Sequence, residues 1–489
     1  MSPRLSEQTL ADLPGDVARP AYDRRAVEPG VVHLGLGAFH RAHQADVFDR
    51  ALAAGDPRWG VTGASLRSPA VRDQLAPQDG LYALAVRDGG EERLRVIGAV
   101  RKVLVAPEDP EALVEALAAP STRLVTLTVT EKGYKLDPAT GELLVDDAEV
   151  AADLANPRRP RSAPGFLAAG LRQRRERGLD PLTIISCDNL PENGRRTRDA
   201  VLGMAARDPD LAEWIANRCA FPQTMVDRIV PATTAEDLDR VEARLGLRDE
   251  GTVKTEPFTQ WVIEDRFAGE RPEFEALGVR ITGSVAPWEE AKLRLLNGAH
   301  SALAYLGGLA GATFVHEAVA DSAWSGLVEA LWDEAETTLS PPAGLDVAAY
   351  RRELMARFRN ASLQHRTRQI AIDGSQKLPQ RLLASCAARL AQGRPIPRLA
   401  LAVAAWMRWQ GREDDSGARF EVDDPLAPQT ARLLKDARSA EERVGALLSL
   451  RAVFPERLAA HEAFRMAVTA AYDRLARRGA ARAVAELAR

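Results

Sequence analysis

The sequence contains little cysteine. Only 3 of its 489 residues are cysteines, and Cys187, Cys219 and Cys386 are scattered along the chain. This odd and low number argues against a disulfide framework and against a thiolate zinc site, and it is typical of proteins from a reducing compartment. We therefore expect a cytoplasmic protein without a structural metal.

Long apolar runs and a strong excess of one charge are also missing. The longest strongly apolar run, residues 399–407, is too short to cross a bilayer. The first residues, MSPRLSEQTLADLPGD, contain no apolar core of the signal-peptide kind. The net charge of −4 gives no reason to expect nucleic acid or an anionic membrane as a partner. We expect a small-molecule partner, and the oligomeric state stays open.

Lysine is scarce, which draws attention to the positions that keep it. Only 7 of the 65 basic residues are lysines. Lys292 shares the leucine-rich segment 287–307 with Asn297 and His300, and on a regular α-helix the three fall within an arc of about 140°. Gly298 would leave room there for a ligand. A buried lysine can lose its proton near neutral pH, as a general base must, although the segment could also be an amphipathic helix with a chance polar face.

The two halves of the sequence differ in pattern. Candidate strands at 31–36, 60–66, 124–130 and 182–187 suit a parallel sheet with helical crossovers. After residue 287 helical patterns follow one another, at 288–307, 348–358, 379–391, 398–409, 440–451 and 461–477. We predict an α/β chain with a Rossmann-type dinucleotide-binding domain at 1–285 and a mainly α-helical substrate and catalytic domain at 286–489.

The segment VVHLGLGAFHR, residues 31–41, has the pattern of a strand, a glycine turn and a helix start. Gly35 and Gly37 would let the main chain turn tightly against a pyrophosphate that faces the helix start. The third glycine of the usual fingerprint is missing. Arg67 follows the second strand, where an acidic residue would hold the ribose of NAD, so NADP stays open beside NAD. The predicted cofactor-binding residues are Gly35, Leu36, Gly37, Ala38, Phe39, His40, Arg41 and Arg67.

Seven segments along the chain are distinctive. They are HLGLGAFHRAHQA at 33–45, TVTEKGY at 128–134, SCDNLPENG at 186–194, MVDRIVPAT at 225–233, EPFTQWVIED at 256–265, KLRLLNGAHSALAYLG at 292–307 and HRTRQIAIDGSQKLPQRLL at 365–383. Together and in this order they resemble the mannitol dehydrogenase family, the polyol-specific long-chain dehydrogenases. Within that family, the segments at 225–233 and 365–383 look most like fructuronate reductases, also called D-mannonate oxidoreductases.

The resemblance implies a metal-independent NAD(P) enzyme with its active site in the cleft between the two domains. It implies that Lys292 is the general acid/base and that Asn297 and His300 hold the reacting oxygen. Glu131 and Glu289 would relay the proton of Lys292 towards solvent. The implied substrate contacts are Asn189, Asp227 and Lys377.

A dense basic cluster bears on the substrate. Arg366, Arg368, Lys377 and Arg381 could bind the carboxylate of a sugar acid, although a solvated helix end would look the same. Arg368 stands where the resembling fructuronate reductases carry an aromatic residue. We assign Arg366 and Arg368 to substrate binding. The expected function is NAD-dependent interconversion of D-fructuronate and D-mannonate, with a mannitol or other polyol 2-dehydrogenase as first alternative and a non-catalytic nucleotide-binding sensor as second.

Overall fold

The computed structural model describes residues 2–137 and 140–488, and the chain divides into two compact units, residues 1–285 and 286–489. All strands of the described residues lie in the first unit, while the second is built from helices. The predicted fold class, a Rossmann-type domain followed by a mainly helical one, is confirmed.

Among the described residues of the N-terminal unit, eleven strands form three sheets. Five of them form a wholly parallel sheet in the order β5-β2-β1-β6-β7, with Val31 of β1 between Val61 of β2 and Leu124 of β6. The strands are β1 Val31–Leu34, β2 Val61–Ser65, β3 Tyr82–Asp88, β4 Glu91–Ile97, β5 Val100–Val105, β6 Leu124–Leu127, β7 Thr183–Ser186, β8 Thr224–Asp227, β9 Val253–Thr255, β10 Gln260–Glu264 and β11 Arg280–Thr282.

The four predicted strands are all present in the parallel sheet, but each stops earlier than its sequence pattern. The residues just beyond their carboxyl ends turn into loops, which is where ligands bind in such sheets. Two small sheets were not predicted. One contains the hairpin of β3 and β4, which turns at Gly89 and Gly90, and the other places Asp227 at the end of β8, opposite Gln260 of β10.

Helices cover both faces of the parallel sheet. Val32 and Leu34 pack with one helical layer and Val31 with the other, so β1 is buried on both sides, as parallel strands usually are. The helices of this unit are α1 Ala38–Ala42, α2 Gln44–Ala53, α3 Ala70–Leu75, α4 Pro110–Ala118, α5 Ala148–Ala155, α6 Ala163–Glu176, α7 Asn193–Ala205, α8 Pro209–Arg218 and α9 Ala235–Leu245.

The C-terminal unit is organised around one almost fully buried helix, α18. Its apolar run is the longest of the sequence, and α11, α13 and α22 pack against it. No helix in the described part of the chain has both the length and the apolar character needed to cross a bilayer. The helices are α10 Ala286–Ala291, α11 Gly298–Leu309, α12 Val315–Val319, α13 Ser322–Glu336, α14 Val347–Arg359, α15 Thr367–Ala371, α16 Gly374–Leu378, α17 Ala384–Ala391, α18 Pro397–Trp409, α19 Ala427–Leu434, α20 Ala440–Leu448, α21 Glu456–Ala459, α22 Glu462–Arg478 and α23 Ala480–Leu487.

Two predicted helices contain a π-helical turn that the sequence pattern did not reveal. The first turn, Lys292–Asn297, separates α10 from α11, and the second, Pro379–Leu383, separates α16 from α17. In the second, Pro379 has no N–H to donate to the preceding turn, which disfavours a regular α-helical ladder. The prediction of one regular helix over 288–307 was therefore wrong in its geometry.

His43 is held in its neutral form in the core of the N-terminal unit. Its Nε2–H donates to the Gln260 carbonyl at 3.0 Å, and its Nδ1 accepts from the Gln44 amide at 3.1 Å. A proton on Nδ1 would oppose that second hydrogen bond. Burial lowers the pKa of His43 to about 4, well below the value of about 6.5 for an unfolded chain.

The unfolding free energy should therefore fall as the pH drops from 7 to 5. In this window the unfolded chain binds a proton at His43 that the folded chain does not, which costs about 2 kcal/mol of stability. We expect His43→Gln to lose less stability over this range than the unchanged protein, as measured by urea titration with circular dichroism. His461→Gln, at an exposed position, should keep the original slope. Equal losses in the two variants would contradict this role for His43.

Candidate functional site

The turn after β1 requires glycine. Gly35 has a φ of +90°, and a Cβ placed on it would lie 2.2 Å from the carbonyl oxygen of Thr128. The Thr128 hydroxyl donates to the Gly35 carbonyl at 2.8 Å, and the His33 ring nitrogen Nε2 lies 3.0 Å from that hydroxyl. The turn is therefore anchored to the end of the neighbouring strand β6.

A cavity of about 300 Å³ opens at this turn, at the carboxyl ends of β1, β2 and β6. Gly37 lies just before α1, so main-chain N–H groups are available to a phosphate there. Arg67 is exposed at the rim, and no carboxylate follows β2. These features fit a dinucleotide. The lining residues are Gly35, Leu36, Gly37, Ser65, Leu66, Arg67, Thr128, Val129, Thr130, Gly133, Lys135, Glu149, Arg161, Ser162 and Ala163.

The other predicted cofactor residues lie on or under α1. Ala38 and Phe39 are half-buried, whereas His40 is fully buried and stacks on His33 with ring centroids 3.4 Å apart. Arg41 is also buried, and its Nη1 donates to the Gly251 carbonyl at 2.6 Å. The side chains of His40 and Arg41 thus support the turn through packing and main-chain hydrogen bonds.

Asp188 organises the loops that follow β6 and β7. Its carboxylate accepts hydrogen bonds from the main-chain N–H groups of Val129 at 3.0 Å and Thr130 at 2.9 Å, and from the Tyr134 hydroxyl at 2.6 Å. Burial raises the pKa of Asp188. Sequence reasoning missed this residue, although a carboxylate directly after a buried strand was a usable signal. Glu131 is exposed in the turn that Asp188 holds.

Asn193 ties together the segments that contain two further predicted site residues, Asn189 and Asp227. Its amide donates to the carbonyls of Asp188 and Thr224 and accepts from the Thr224 N–H, at 3.0 to 3.1 Å. The exposed Asn189 is therefore in a loop that is tied to β8, and the buried Asp227 ends that strand.

In the C-terminal unit, the first π-helical turn brings the polar triplet closer together than predicted. The Gly298 N–H bonds to the Leu293 carbonyl, five residues earlier. Such a turn takes one residue more than an α-helical turn, so Lys292 and Asn297 stand about 40° apart around the axis and the triplet spans about 60° rather than 140°. Lys292, Asn297 and His300 are all buried. Glu289 lies on α10, just before this turn, and is half-buried.

His300 lies among aromatic and basic side chains. Its ring is 4.7 Å from that of Phe358 and 5.0 Å from that of His365, centroid to centroid. Burial, reinforced by His365, Arg357 and Arg381, holds the pKa of His300 well below its usual range. Burial also lowers the pKa of His365 to about 4. Both imidazoles are therefore neutral near pH 7, and one nitrogen of His300 can act as a donor. His365 was not singled out from the sequence.

The predicted substrate-binding cations are in different surroundings. Arg366 and Arg368 are exposed, and their guanidinium groups lie over the rings of Phe314 and Phe420 at 4.9 and 5.3 Å. Lys377 is half-buried, and its Nζ donates to the Ile372 carbonyl at 2.5 Å. Burial lowers the pKa of Lys377.

Gly298 is needed for a close main-chain contact. A Cβ at this position would lie 2.9 Å from the carbonyl oxygen of Arg381, in the second π-helical turn. The space that we assigned to a ligand is therefore occupied by the main chain. The two π-helical turns pack together at this point.

No group of three or more His, Cys, Asp or Glu side chains within residues 2–137 and 140–488 is arranged to hold a metal ion. The triplet itself offers an amine, an amide and a neutral imidazole.

Comparison with known proteins gives full-length matches. Residues 29–276 match the mannitol dehydrogenase Rossmann domain and residues 284–476 the mannitol dehydrogenase C-terminal domain. The chain is 44% identical over 485 residues to the D-mannonate oxidoreductase of Escherichia coli (strain K12), covering 98% of this chain and 100% of that protein. It is 44% identical over 477 residues to the uncharacterized oxidoreductase YeiQ of the same strain, covering 96% and 97% of the two chains.

A solved structure is similar over the same length. The Pseudomonas fluorescens mannitol 2-dehydrogenase, in ternary complex with NAD and D-mannitol, is 36% identical, covers 99% of each chain and has a TM-score of 0.85. These matches confirm the resemblance read from the motifs.

Replacing Gly298 by alanine should destabilise the protein. Alanine is favoured over glycine in a helix by about 1 kcal/mol, but the new methyl group would press on the Arg381 carbonyl, and overpacking of this kind costs roughly 1–3 kcal/mol. Gly445→Ala is the matched control, because nothing lies within 4 Å of a Cβ at this helical glycine. Thermal unfolding should give a lower midpoint for Gly298→Ala and an equal or higher one for Gly445→Ala. A similar rise in both would refute the steric argument.

Proposed function

This chain belongs to the mannitol dehydrogenase family, and from that premise we propose that it interconverts D-fructuronate and D-mannonate with NAD as its cofactor. It is an oxidoreductase that acts on CH–OH groups of sugar alcohols or sugar acids. Membership of this family, together with the buried amine, amide and imidazole, argues against the non-catalytic sensor.

The observation that supports the proposal is the π-helical turn at Lys292–Asn297, which leaves the buried Lys292, Asn297 and His300 within about 60° of one another around the helix. When bound, NADH supplies the hydride for reduction of the substrate ketone. The Asn297 N–H and one N–H of the neutral His300 donate to the ketone oxygen as it becomes negative, where one well-placed donor lowers the barrier by roughly 3–4 kcal/mol. Lys292, as the ammonium, donates a proton from Nζ to this oxygen, and in the oxidative direction its neutral amine accepts that proton. An amine in this role makes a metal ion unnecessary.

The cofactor would be held at the turn after β1. Gly35 shapes the turn, whose Gly37 N–H donates to the Gly35 carbonyl at 2.6 Å. Ala38, at the start of α1, would offer its main-chain N–H group to a phosphate, and Arg67 would be on the side of the adenosine ribose. The similar mannitol 2-dehydrogenase was solved with NAD, which favours NAD for this chain. The exposed Arg67 and the missing carboxylate after β2 would tolerate the additional phosphate of NADP.

The substrate assignment is supported by the 44% identity to a D-mannonate oxidoreductase over nearly the whole of both chains. A polyol such as mannitol is the second candidate, because the similar structure was solved with D-mannitol. Substrate contacts by Asn189, Asp227 and Lys377 and a proton relay through Glu131 and Glu289 stay predictions.

Lys292→Ala should reduce turnover by roughly 10²–10⁴-fold, the range for a lost acid/base group. Binding of NADH, followed by fluorescence titration, should change little, because Lys292 acts on the substrate oxygen. Lys435→Ala, which removes an exposed lysine, should behave like the unchanged enzyme. Near-normal turnover of Lys292→Ala would show that the triplet is a chance polar face.

The substrate is tested by comparing NADH oxidation with fructuronate and with fructose, which has no carboxylate. A charge-assisted hydrogen bond to a carboxylate contributes about 1.5–3 kcal/mol, so fructuronate should exceed fructose by at least about tenfold in kcat/KM. Tagaturonate carries the same carboxylate but has a different stereochemistry. Its kcat/KM shows whether the enzyme distinguishes sugar acids by stereochemistry as well as by charge. A higher kcat/KM for fructose would transfer the assignment to a polyol 2-dehydrogenase.

A further inference from the structure

The basic side chains at 366–381 fall into two groups with opposite surroundings. Arg366 and Arg368 are exposed and stack on aromatic rings. Lys377 and Arg381 are partly buried, and burial lowers the pKa of both, that of Arg381 to about 10. An exposed guanidinium on an aromatic face is already solvated and stabilised, whereas a desolvated one gains most from an anionic partner.

Arg381 uses little of its hydrogen-bonding capacity within the protein. Its Nη1 donates to the Ser301 hydroxyl at 3.2 Å, although a guanidinium carries five N–H donors. Across the part of the chain that the structure describes, no carboxylate pairs with Arg381, and the side chain that favours its charged form is Tyr305. Burial raises the pKa of Tyr305, so its phenol is neutral. The positive charge of Arg381 is therefore unbalanced.

Unlike Arg381, Lys377 has carboxylates near it. Asp373, Asp423 and Asp424 each act on Lys377 in the direction that favours its charged form. Arg381 acts on Lys377 in the opposite direction. Lys377 thus has carboxylates that favour its charged form, whereas none acts in this way on Arg381.

Arg381 is also fixed relative to the catalytic helix. Its carbonyl packs on Gly298 and its guanidinium bonds to Ser301, the residue after His300. Its charge contributes to the lowered pKa of His300. A fork of N–H donors held in this way is preorganised for a planar acceptor with two oxygens, which is the geometry of a carboxylate.

We propose that Arg381 is the residue that binds the substrate carboxylate and so determines the preference for a sugar acid over a neutral sugar. This assignment rests on the proposed function of the same site. It replaces Arg366 and Arg368, which were chosen from the sequence, because their guanidinium groups stack on Phe314 and Phe420.

The test compares kcat/KM for fructuronate and fructose, with NADH, in the unchanged enzyme and in Arg381→Met. Methionine keeps much of the side-chain volume and removes the fork. We expect kcat/KM for fructuronate to fall roughly 10- to 150-fold and that for fructose to change less than about threefold. Calorimetry should show a matching loss of D-mannonate binding with no loss of D-mannitol binding. Arg394→Met, at an exposed position, is the control that should change neither.

The outcomes separate the two levels of the proposal. If the unchanged enzyme prefers fructose, the proposed function fails and the role of Arg381 fails with it. If the enzyme prefers fructuronate but Arg381→Met keeps that preference, only the role of Arg381 is overturned. If Arg366→Met or Arg368→Met loses the preference instead, the carboxylate is bound by one of these residues, as the sequence predicted.

A purely structural role for Arg381 predicts a different result, in which both substrates lose activity equally and the unfolding midpoint drops. Arg381→Lys serves if the methionine variant fails to fold. It keeps the charge but not the two-pronged geometry, so KM for fructuronate should rise several-fold while kcat for fructose stays near its original value. An unchanged KM for fructuronate in this variant would contradict a bidentate carboxylate contact.

Discussion

The close approach of two main-chain segments at Gly298 is the constraint on which the helix that carries Lys292, Asn297 and His300 depends. A side chain at this position would clash, because its Cβ would lie 2.9 Å from the Arg381 carbonyl oxygen. The contact joins the two π-helical turns, each of which interrupts a run of α-helix. The first turn positions the polar triplet, and the second carries the guanidinium of Arg381. The steric contact at Gly298 therefore sets the distance between the triplet and this guanidinium.

The N-terminal unit uses the same principle at its cofactor turn. Gly35 adopts a positive φ and abuts the Thr128 carbonyl, so the turn cannot move away from β6 without breaking hydrogen bonds to Thr128. Asp188 and Asn193 then tie the neighbouring loops to one another through main-chain groups. Residues at the ends of the strands are thus held by side chains that would not themselves touch a ligand.

Electrostatics in the C-terminal unit favour a neutral imidazole surrounded by cations. His300 has Arg357 and Arg381 near it, and desolvation adds to their effect on its pKa. Such a site suits an oxygen that becomes negative during reaction, because positive charge is present without a protonated histidine. It also suits an anionic substrate, which would balance the charge of Arg381. The preference for an anionic substrate would then depend on this surplus of positive charge.

The sequence by itself determined the fold class, the division near residue 285, the four core strands and the family. Those features depend on local hydrophobic periodicity and on motifs spread over the whole chain, both of which can be read without coordinates. It also singled out Lys292, Asn297 and His300 as a group. The tertiary structure decided the rest. The π-helical turns escape periodicity, because each adds a single residue and so shifts the helical phase only once within a short segment. The environments of Arg366, Arg368 and Arg381 depend on Phe314, Phe420 and Ser301, which are distant in sequence, and only the folded chain shows which cation is stacked in solvent and which is left without a counter-charge.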